Sequence, residues 1–143
     1  MISREADYAI RALLRLGMQG EGAIVSTTVL AEEMEIPYRF LRRILRRLLE
    51  DGFIASTRGK QGGVRLLRDP RKITLLDIVQ AMNPDAVRVN ACIGDPGFCN
   101  RSARCVVHTV LQDIQEGLAQ RLREVSLADL VAREQARKDH TGC

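Results

Sequence analysis

Apolar residues recur every three or four positions near the start of the chain, which is the spacing of one face of an α-helix. These positions are Ala6, Ile10, Leu13, Leu14 and Gly17. Ser3 precedes them as an N-cap, and the glycines at 17, 20 and 22 predict the end of this helix. A second, short helix is predicted around Val29, Leu30 and Met34, with Ser26, Thr27 or Thr28 as its cap.

A third helix is predicted from its amphipathic pattern, and Pro37 suits its first turn because proline has no N–H to lose there. The apolar face consists of Phe40, Leu41, Ile44, Leu45, Leu48 and Leu49. The opposite face consists of Arg39, Arg42, Arg43, Arg46 and Arg47. This helix therefore has one side suited to a protein core and one side suited to a polyanion.

Two strand-like runs follow the third helix, and a glycine-rich turn lies between them. The runs are residues 53–57 and 64–67, and the turn is Arg58-Gly59-Lys60-Gln61-Gly62-Gly63. This arrangement predicts a β-hairpin. Two short helices followed by a basic hairpin are the elements of a winged helix-turn-helix, whose second helix enters the major groove of DNA.

The last part of the chain combines an irregular segment with a long helix, predicted from about residue 105 to residue 125. The apolar stripe of this helix is Val107, Val110, Leu111, Ile114, Leu118, Leu122 and Val125. A helix about 30 Å long at the end of a small fold needs a partner for its stripe. We expect that partner to be a second copy of the chain.

The expected fold class is mainly α: a winged helix-turn-helix DNA-binding domain with a small β-hairpin wing, followed by a long C-terminal dimerisation helix. The DNA-binding domain is expected at 1–82, with the helix-turn-helix at about 26–50, the wing at about 53–67 and a short helix at about 74–82. A cysteine-bearing loop is expected at 83–104, the dimerisation and C-terminal helices at 105–135, and a disordered tail at 136–143.

Composition favours a small helical protein of the cytoplasm. Only 3% of the 143 residues are aromatic although 45% are hydrophobic, so Leu, Ile, Val and Ala must build the core, which favours helices. The chain starts with no apolar secretion signal, and its longest uncharged run is ten residues, against about 20 needed to cross a bilayer. The sequence also lacks a phosphate-binding glycine loop and a nucleophile with a matching base, so an enzyme is not expected.

The cations are concentrated in one region. Residues 36–65 contain eight cations and two acids, a net charge of +6 in a chain whose total is +4, as is typical of a polyanion-binding surface. The candidate DNA contacts are Thr28, Tyr38, Arg39, Arg42, Arg43 and Arg46 in the helix-turn-helix, with Arg46 and Arg47 toward phosphates, and Arg58, Lys60, Gln61 and Arg65 in the hairpin. A solvated helix face would explain the charge alone, but the hairpin glycines flanked by cations favour salt-sensitive binding to double-stranded DNA.

Three of the four cysteines lie close together. Cys92, Cys99 and Cys105 are separated by six and five residues, and His108 follows three positions after the last of them. Structural disulfides are rare in the cytoplasm, and structural zinc usually has closer C-x₂₋₄-C pairs. Thiolates are ligands of iron–sulfur clusters, so such a cluster is the first hypothesis, with a zinc site or a thiol redox switch as the alternatives. Cys143 is expected to be a reactive bystander.

Four segments and the three cysteines together resemble the IscR/NsrR/RirA family of iron–sulfur winged-helix regulators, also called the Rrf-two family. The segments are DYAIRAL at 7–13, IPYRFL at 36–41, RGKQGGVRL at 58–66 and ITLLDIV at 73–79. The resemblance extends from Ile2 to about Val131. It implies a homodimer that binds a roughly palindromic operator under the control of a cluster.

The resemblance also implies a ligand set. Members similar to IscR hold a [2Fe–2S] cluster with three cysteines and a histidine, which would correspond to Cys92, Cys99, Cys105 and His108. Some members similar to NsrR hold a [4Fe–4S] cluster with three cysteines and an acid, which would correspond to the partner's Asp7. The first cysteine gap is six residues where the IscR pattern has five, so the sequence leaves open the cluster type and the signal: iron, nitric oxide or redox state.

Overall fold

The computed structural model describes residues 1–141, in which six α-helices and one β-hairpin account for most of the chain. The helices are α1 (Arg4–Met18), α2 (Thr27–Glu33), α3 (Tyr38–Glu50), α4 (Leu75–Met82), α5 (Val106–Glu124) and α6 (Leu127–Thr141), and the strands are β1 (Ile54–Thr57) and β2 (Gly63–Leu66). The expected fold class is confirmed, because a helix-turn-helix pair is followed by a two-stranded antiparallel hairpin in a mainly helical chain. The expectation for Cys143 lies outside the described residues.

The helix starts follow from local capping. The Ser3 hydroxyl accepts a hydrogen bond from the Ala6 amide at 3.2 Å and so caps α1. Of the three candidate caps for α2, Ser26 has this role, since its hydroxyl accepts from the Val29 amide at 3.2 Å. Such a side-chain acceptor satisfies one of the backbone amides that have no partner within the helix, which fixes where each helix begins.

Helix α1 lies at the centre of the core. Its buried residues are Ala6, Tyr8, Ala9, Ala12, Leu13 and Leu16. Three of these are alanines, whose small side chains let neighbouring helices approach closely. Helix α3 contributes Leu41, Ile44, Leu45 and Leu48, and α4 contributes Leu76, Ile78, Val79 and Met82. The apolar side of the recognition helix is therefore fixed against α1 and α4, and its arginines remain outside.

The hairpin is joined, near its turn, to the segment before α2. Val25 and Val64 exchange two backbone hydrogen bonds of 2.9 Å each, and Ile54 of β1 pairs with Leu66 of β2 at the other end of the ladder. The hairpin is thus attached directly beside the helix-turn-helix.

The C-terminal segment differs from the expectation. Residues 136–141 are helical as part of α6, whereas polar composition predicted a disordered tail from residue 136. The helix begins with a reciprocal cap, because the Ser126 amide donates to the Asp129 carboxylate at 2.8 Å and the Asp129 amide donates to the Ser126 hydroxyl at 3.1 Å. An ion pair between Arg137 and Glu134, 2.6 Å long, spans its later turns. These local interactions favour a helix in a segment whose polarity alone suggested none.

One side of α5 packs on the protein, and the other side is an uncovered apolar surface. Its exposed residues, which we call the α5 stripe, are Val106, Val107, Val110, Ile114 and Leu118. Exposure ranges from 78% at Val106 to 40% at Leu118. Over residues 1–141, no helix is both long enough and apolar enough to cross a bilayer.

Candidate DNA interface and cysteine cleft

The recognition helix α3 exposes the side chains that were predicted to contact DNA. Tyr38, Arg39, Arg42, Arg43 and Arg46 are all exposed. Thr28 is also exposed, in the first turn of α2. Because the buried residues of α3 occupy the opposite side, these polar groups form a surface that a duplex can approach. Their contact with DNA stays a prediction.

Phe40 does not follow the predicted apolar face. It was assigned to the buried stripe, yet it is 44% exposed. Its ring centroid lies 6.3 Å from that of Tyr8 in α1, and the Arg43 guanidinium lies 5.4 Å from the Phe40 ring. Contacts with an aromatic ring and with a cation make a partly exposed position favourable for phenylalanine.

The arginines of α3 differ in how they are paired. Arg43 forms an ion pair with Glu5 of α1, and Arg46 lies 3.2 Å from the Glu50 carboxylate. Arg39 and Arg42 have no ion pair with any residue from 1 to 141. These two arginines are therefore the cations of the helix that are most available to phosphate.

Arg47 contacts two other helices of the protein. Its Nη1 donates to the Met82 carbonyl oxygen at 2.5 Å, and it lies 4.0 Å from the Glu5 carboxylate. Sequence reasoning assigned Arg47 to DNA phosphates because it belongs to the arginine face. The contacts with Met82 and Glu5 join residues 35 or more positions apart in the chain, so no local pattern could have indicated them.

The hairpin tip presents cations on a tight glycine turn. Arg58, Lys60 and Gln61 are exposed, while Arg65 on β2 is half-buried. A Cβ atom on Gly62 would stand 2.3 Å from the Thr57 carbonyl oxygen, so the turn requires glycine there. A shallow groove of about 290 Å³ is lined by Lys60 and Gln61 together with Ser26 and Val29 at the start of α2. The wing tip and the helix-turn-helix thus face the same groove.

Two cysteines and the histidine of the predicted cluster site line one cleft. Cys92, Cys99 and His108 border an open cleft of about 420 Å³. Cys105 stands at the N-terminal end of α5, three positions before His108, and does not line this cleft. These three cysteines form no disulfide bond and are half-buried. The Ser102 hydroxyl donates to the Cys99 carbonyl oxygen at 2.5 Å, which holds the turn between Cys99 and α5.

One ring nitrogen of His108 is buried without a hydrogen-bond partner. Among residues 1–141, its Nδ1 is the one buried side-chain nitrogen or oxygen atom without a hydrogen-bond partner. An imidazole nitrogen can bind a metal, and cysteine thiolates suit an iron–sulfur cluster or zinc. The described residues nevertheless bring no three His, Cys, Asp or Glu side chains close enough to hold a metal ion. The donor set fits such a group in chemistry and location, and the cysteine segment would have to rearrange to close around it.

Asp7, the other candidate for the fourth ligand, is engaged elsewhere. Arg11 donates to the Asp7 carboxylate from Nε at 3.0 Å and also from Nη2. This hydrogen bonding raises the pKa of the Arg11 guanidinium above its ordinary value. Asp7 lies on α1 and does not line the cysteine cleft of its own chain. To bind a cluster of the partner subunit, the Asp7 carboxylate would have to give up its hydrogen bonds with Arg11.

Comparisons with known proteins agree with this architecture. Residues 2–133 match the family model of Rrf2, an iron-dependent transcriptional regulator. The HTH-type transcriptional regulator ORF2 of Azotobacter vinelandii is 30% identical over 132 residues, which is 92% of this chain and 79% of the relative. The HTH-type transcriptional regulator IscR of Yersinia pestis is 28% identical over 130 residues, which is 91% of this chain and 78% of the relative.

Solved structures show the same fold. The IscR structure of T. potens superposes with a TM-score of 0.71 at 24% identity, covering 94% of this chain and 88% of that one. CymR, the global cysteine regulator of B. subtilis, gives a TM-score of 0.71 at 20% identity, covering 93% of this chain and 97% of that one. The protein is thus a winged-helix transcriptional regulator and not an enzyme, and it belongs to the Rrf2 family of iron-dependent transcriptional regulators.

Proposed function

We propose that this regulator acts in the cytoplasm as a homodimer that binds a roughly palindromic operator, and that an iron–sulfur cluster controls its operator affinity. The signal would be iron supply, nitric oxide or redox state. The single observation that carries the cluster proposal is that His108 lines a cleft with Cys92 and Cys99 while its buried Nδ1 has no hydrogen-bond partner.

The DNA part of the proposal is supported by the exposed side of α3. Arg39 and Arg42 lie on the leading turns without an ion pair from residues 1–141. The leading turns of a recognition helix contact base edges, and arginines there can donate two hydrogen bonds to guanine. The wing would add phosphate contacts from Arg58 and Lys60, next to the start of α2.

The homodimer is supported by the α5 stripe. Five large apolar side chains on one side of a 19-residue helix are exposed in the single chain. Exposed apolar surface is costly in water at about 25 cal/mol per Å², and contiguous patches of this kind mark interfaces. A second copy would cover the stripe with its own α5 and set two recognition helices at a fixed spacing.

For the cluster we propose Cys92, Cys99, Cys105 and His108 as ligands. When bound, it would supply iron that reacts with oxidants or nitric oxide and that is lost when iron is scarce. The chain's own residues would hold and release it: Cys92 and Cys99 from the loop, Cys105 and His108 from the start of α5. A ligand set of three cysteines and one histidine favours [2Fe–2S], by resemblance to IscR. Binding would draw the loop and the start of α5 together.

The test combines cluster analysis with operator binding. The full-length protein is purified without oxygen, its visible spectrum, iron and acid-labile sulfide are measured, and an operator is selected from random duplexes. Cys99→Ala should abolish the visible absorbance and change operator affinity. Asn90→Ala should do neither, because Asn90 is exposed in the same segment and does not line the cleft. Colourless protein without sulfide, even after reconstitution, would leave a DNA-binding regulator with a thiol switch or a zinc site.

A further inference from the structure

Arg47 occupies the point where the recognition helix meets the end of α4. It follows Arg43 by about one helical turn, but its Nη1 donates to the Met82 carbonyl oxygen at 2.5 Å. Its side chain is 46% exposed, compared with 82% for the adjacent Arg46. The two arginines therefore carry the same charge on the same helix in different surroundings.

The Met82 carbonyl is a favourable acceptor for a cation. Met82 is the last residue of α4, and the final carbonyl groups of a helix have no amide partner within it. They also carry the negative end of the helix dipole. A guanidinium satisfies both requirements at once. This contact therefore attaches α3 to the exact residue at which the chain leaves α4 for the cysteine-bearing segment.

Glu5 extends the junction to a third helix. One oxygen of its carboxylate pairs with Arg43, and the other lies 4.0 Å from Arg47. The carboxylate of α1 thus bridges two arginines one turn apart on α3. Any displacement of Met82 that moved Arg47 would disturb this bridge, and with it a side chain on the predicted DNA-binding face.

The chain between Met82 and Cys92 is anchored at further points. The Ala86 carbonyl accepts a hydrogen bond from the Met1 ammonium at 2.8 Å, and Ala86 itself is buried. The Val89 amide donates to the Gln115 side chain of α5 at 3.0 Å. Only nine residues separate Met82 from Cys92. A rearrangement of the cysteines would therefore be transmitted along a short, tethered segment to the carbonyl that Arg47 holds.

We propose that Arg47 is a positioning residue that couples the cysteine segment to the recognition helix, and that it does not contact DNA. The proposal rests on the proposed function, because it concerns how the state of the cluster reaches the operator. Arg47 holds α3 in one orientation through Met82 and Glu5. When the cysteine segment changes its arrangement, the Met82 carbonyl moves and the orientation of α3 changes with it.

The experiment compares Arg47→Gln with Arg46→Gln, which removes the same charge one position away. Operator affinity of the full-length protein is measured with and without the cluster over a range of salt concentrations. Coupling between two sites typically changes affinity by roughly 5–150-fold, and we expect a ratio in this range for the wild type. Arg47→Gln should bring the ratio of the two affinities, with and without the cluster, toward one. It should leave unchanged the slope of log affinity against log salt concentration. Arg46→Gln should keep the ratio and, through a lost phosphate contact, reduce the slope by about 0.9.

The outcomes separate this proposal from the function on which it rests. If Arg47→Gln reduces the salt slope as Arg46→Gln does, Arg47 contacts phosphate. If it weakens operator binding equally with and without the cluster, Arg47 is merely structural. Either result overturns the coupling proposal. If the wild type binds the operator equally well with and without the cluster, cluster control itself is overturned, and the coupling with it. Should Arg47→Gln fail to fold, Arg47→Lys keeps the charge but loses the forked guanidinium. The ratio of operator affinities with and without the cluster then decides: a ratio near one supports the coupling, and the wild-type ratio overturns it.

Discussion

Gly63 lies so close to Val25 that a Cβ atom added to it would stand 2.1 Å from the Val25 carbonyl oxygen. The next residue, Val64, exchanges two backbone hydrogen bonds with Val25. The absence of a side chain at Gly63 thus allows the wing to join the segment that leads into α2. The position of the wing relative to the helix-turn-helix depends on this approach.

Gly63→Ala should displace the hairpin, because the Cβ atom would meet backbone that cannot rotate away. We expect a loss of about 1–3 kcal/mol in the free energy of unfolding and weaker binding to duplex DNA, measured by thermal denaturation and fluorescence anisotropy. Gly97→Ala is the control, since its Cβ atom would meet the Asp95 carboxylate at 3.4 Å, and a carboxylate can move. Equal effects of both substitutions would show that close packing at Gly63 does not hold the wing.

Arg42→Ala should weaken DNA binding and make it less sensitive to salt. Each phosphate contact contributes about 0.9 to the log–log slope, and Arg42 has no competing ion pair within residues 1–141. Arg71→Ala removes the same charge from a residue that pairs with Asp69 at 2.8 Å and should leave the slope unchanged. If neither variant changes the slope, Arg42 does not contact the DNA backbone.

The fourth cluster ligand can be identified by paired variants. We expect His108→Ala to shift the visible spectrum and lower cluster retention, because His108 lines the cleft with Cys92 and Cys99 and its Nδ1 has no hydrogen-bond partner. Asp7→Asn should leave the spectrum unchanged, since Asp7 is held by Arg11. The reverse result would assign the ligand to the partner's Asp7 and favour a [4Fe–4S] cluster.

Ile114→Glu should convert a dimer into a monomer, because it places a charge within the α5 stripe. Ile114 is 54% exposed in the single chain, so the substitution creates no internal cavity and should leave the fold intact. Gln112→Glu adds the same charge two residues away, on nearly the opposite side of the helix, and should not change the mass measured by sedimentation. A dimeric Ile114→Glu protein would place the interface elsewhere.

The cap of α6 should make stability dependent on acid pH. Hydrogen bonds from the Ser126 amide and then from its hydroxyl lower the pKa of Asp129. A carboxyl group with a lowered pKa stabilises the fold above its unfolded value of about 3.9, and the contribution is lost as pH falls through the folded value.

Asp129→Asn should therefore unfold at a lower temperature than the wild type at neutral pH, with the difference shrinking below about pH 4. The exposed Asp113→Asn in α5 is the control for the lost charge. A difference between wild type and Asp129→Asn that stays constant with pH would mean that the cap does not depend on the ionised carboxylate.

Most of the fold was predictable because its determinants are local. Ser3 and Ser26 cap helices a few residues away, Pro37 opens α3, and the glycines of the wing form a turn within six positions. Each of these interactions joins neighbours in the chain. The same holds for the order of elements that indicated a winged helix-turn-helix.

The deviations arise from contacts between distant residues. Phe40 follows the helical period of the buried face, but Tyr8 of α1 gives its ring a favourable position near the surface. Arg47 looks like its neighbours in the sequence, yet Met82 engages it from another helix. Similarly, the cysteine spacing suggested a common site, but it could not indicate that Cys105 lies outside the cleft bordered by Cys92 and Cys99.

The α5 stripe also has a consequence for how much of the protein a cell must contain. If a second copy covers it, the population of assembled regulator grows with the square of the monomer concentration when monomers predominate. Each tenfold rise in concentration would then add about 1.4 kcal/mol to the free energy of unfolding the dimer. Abundance would act twice on an operator, once through assembly and once through occupancy. A modest change in synthesis or degradation would thereby produce a steeper change in transcription.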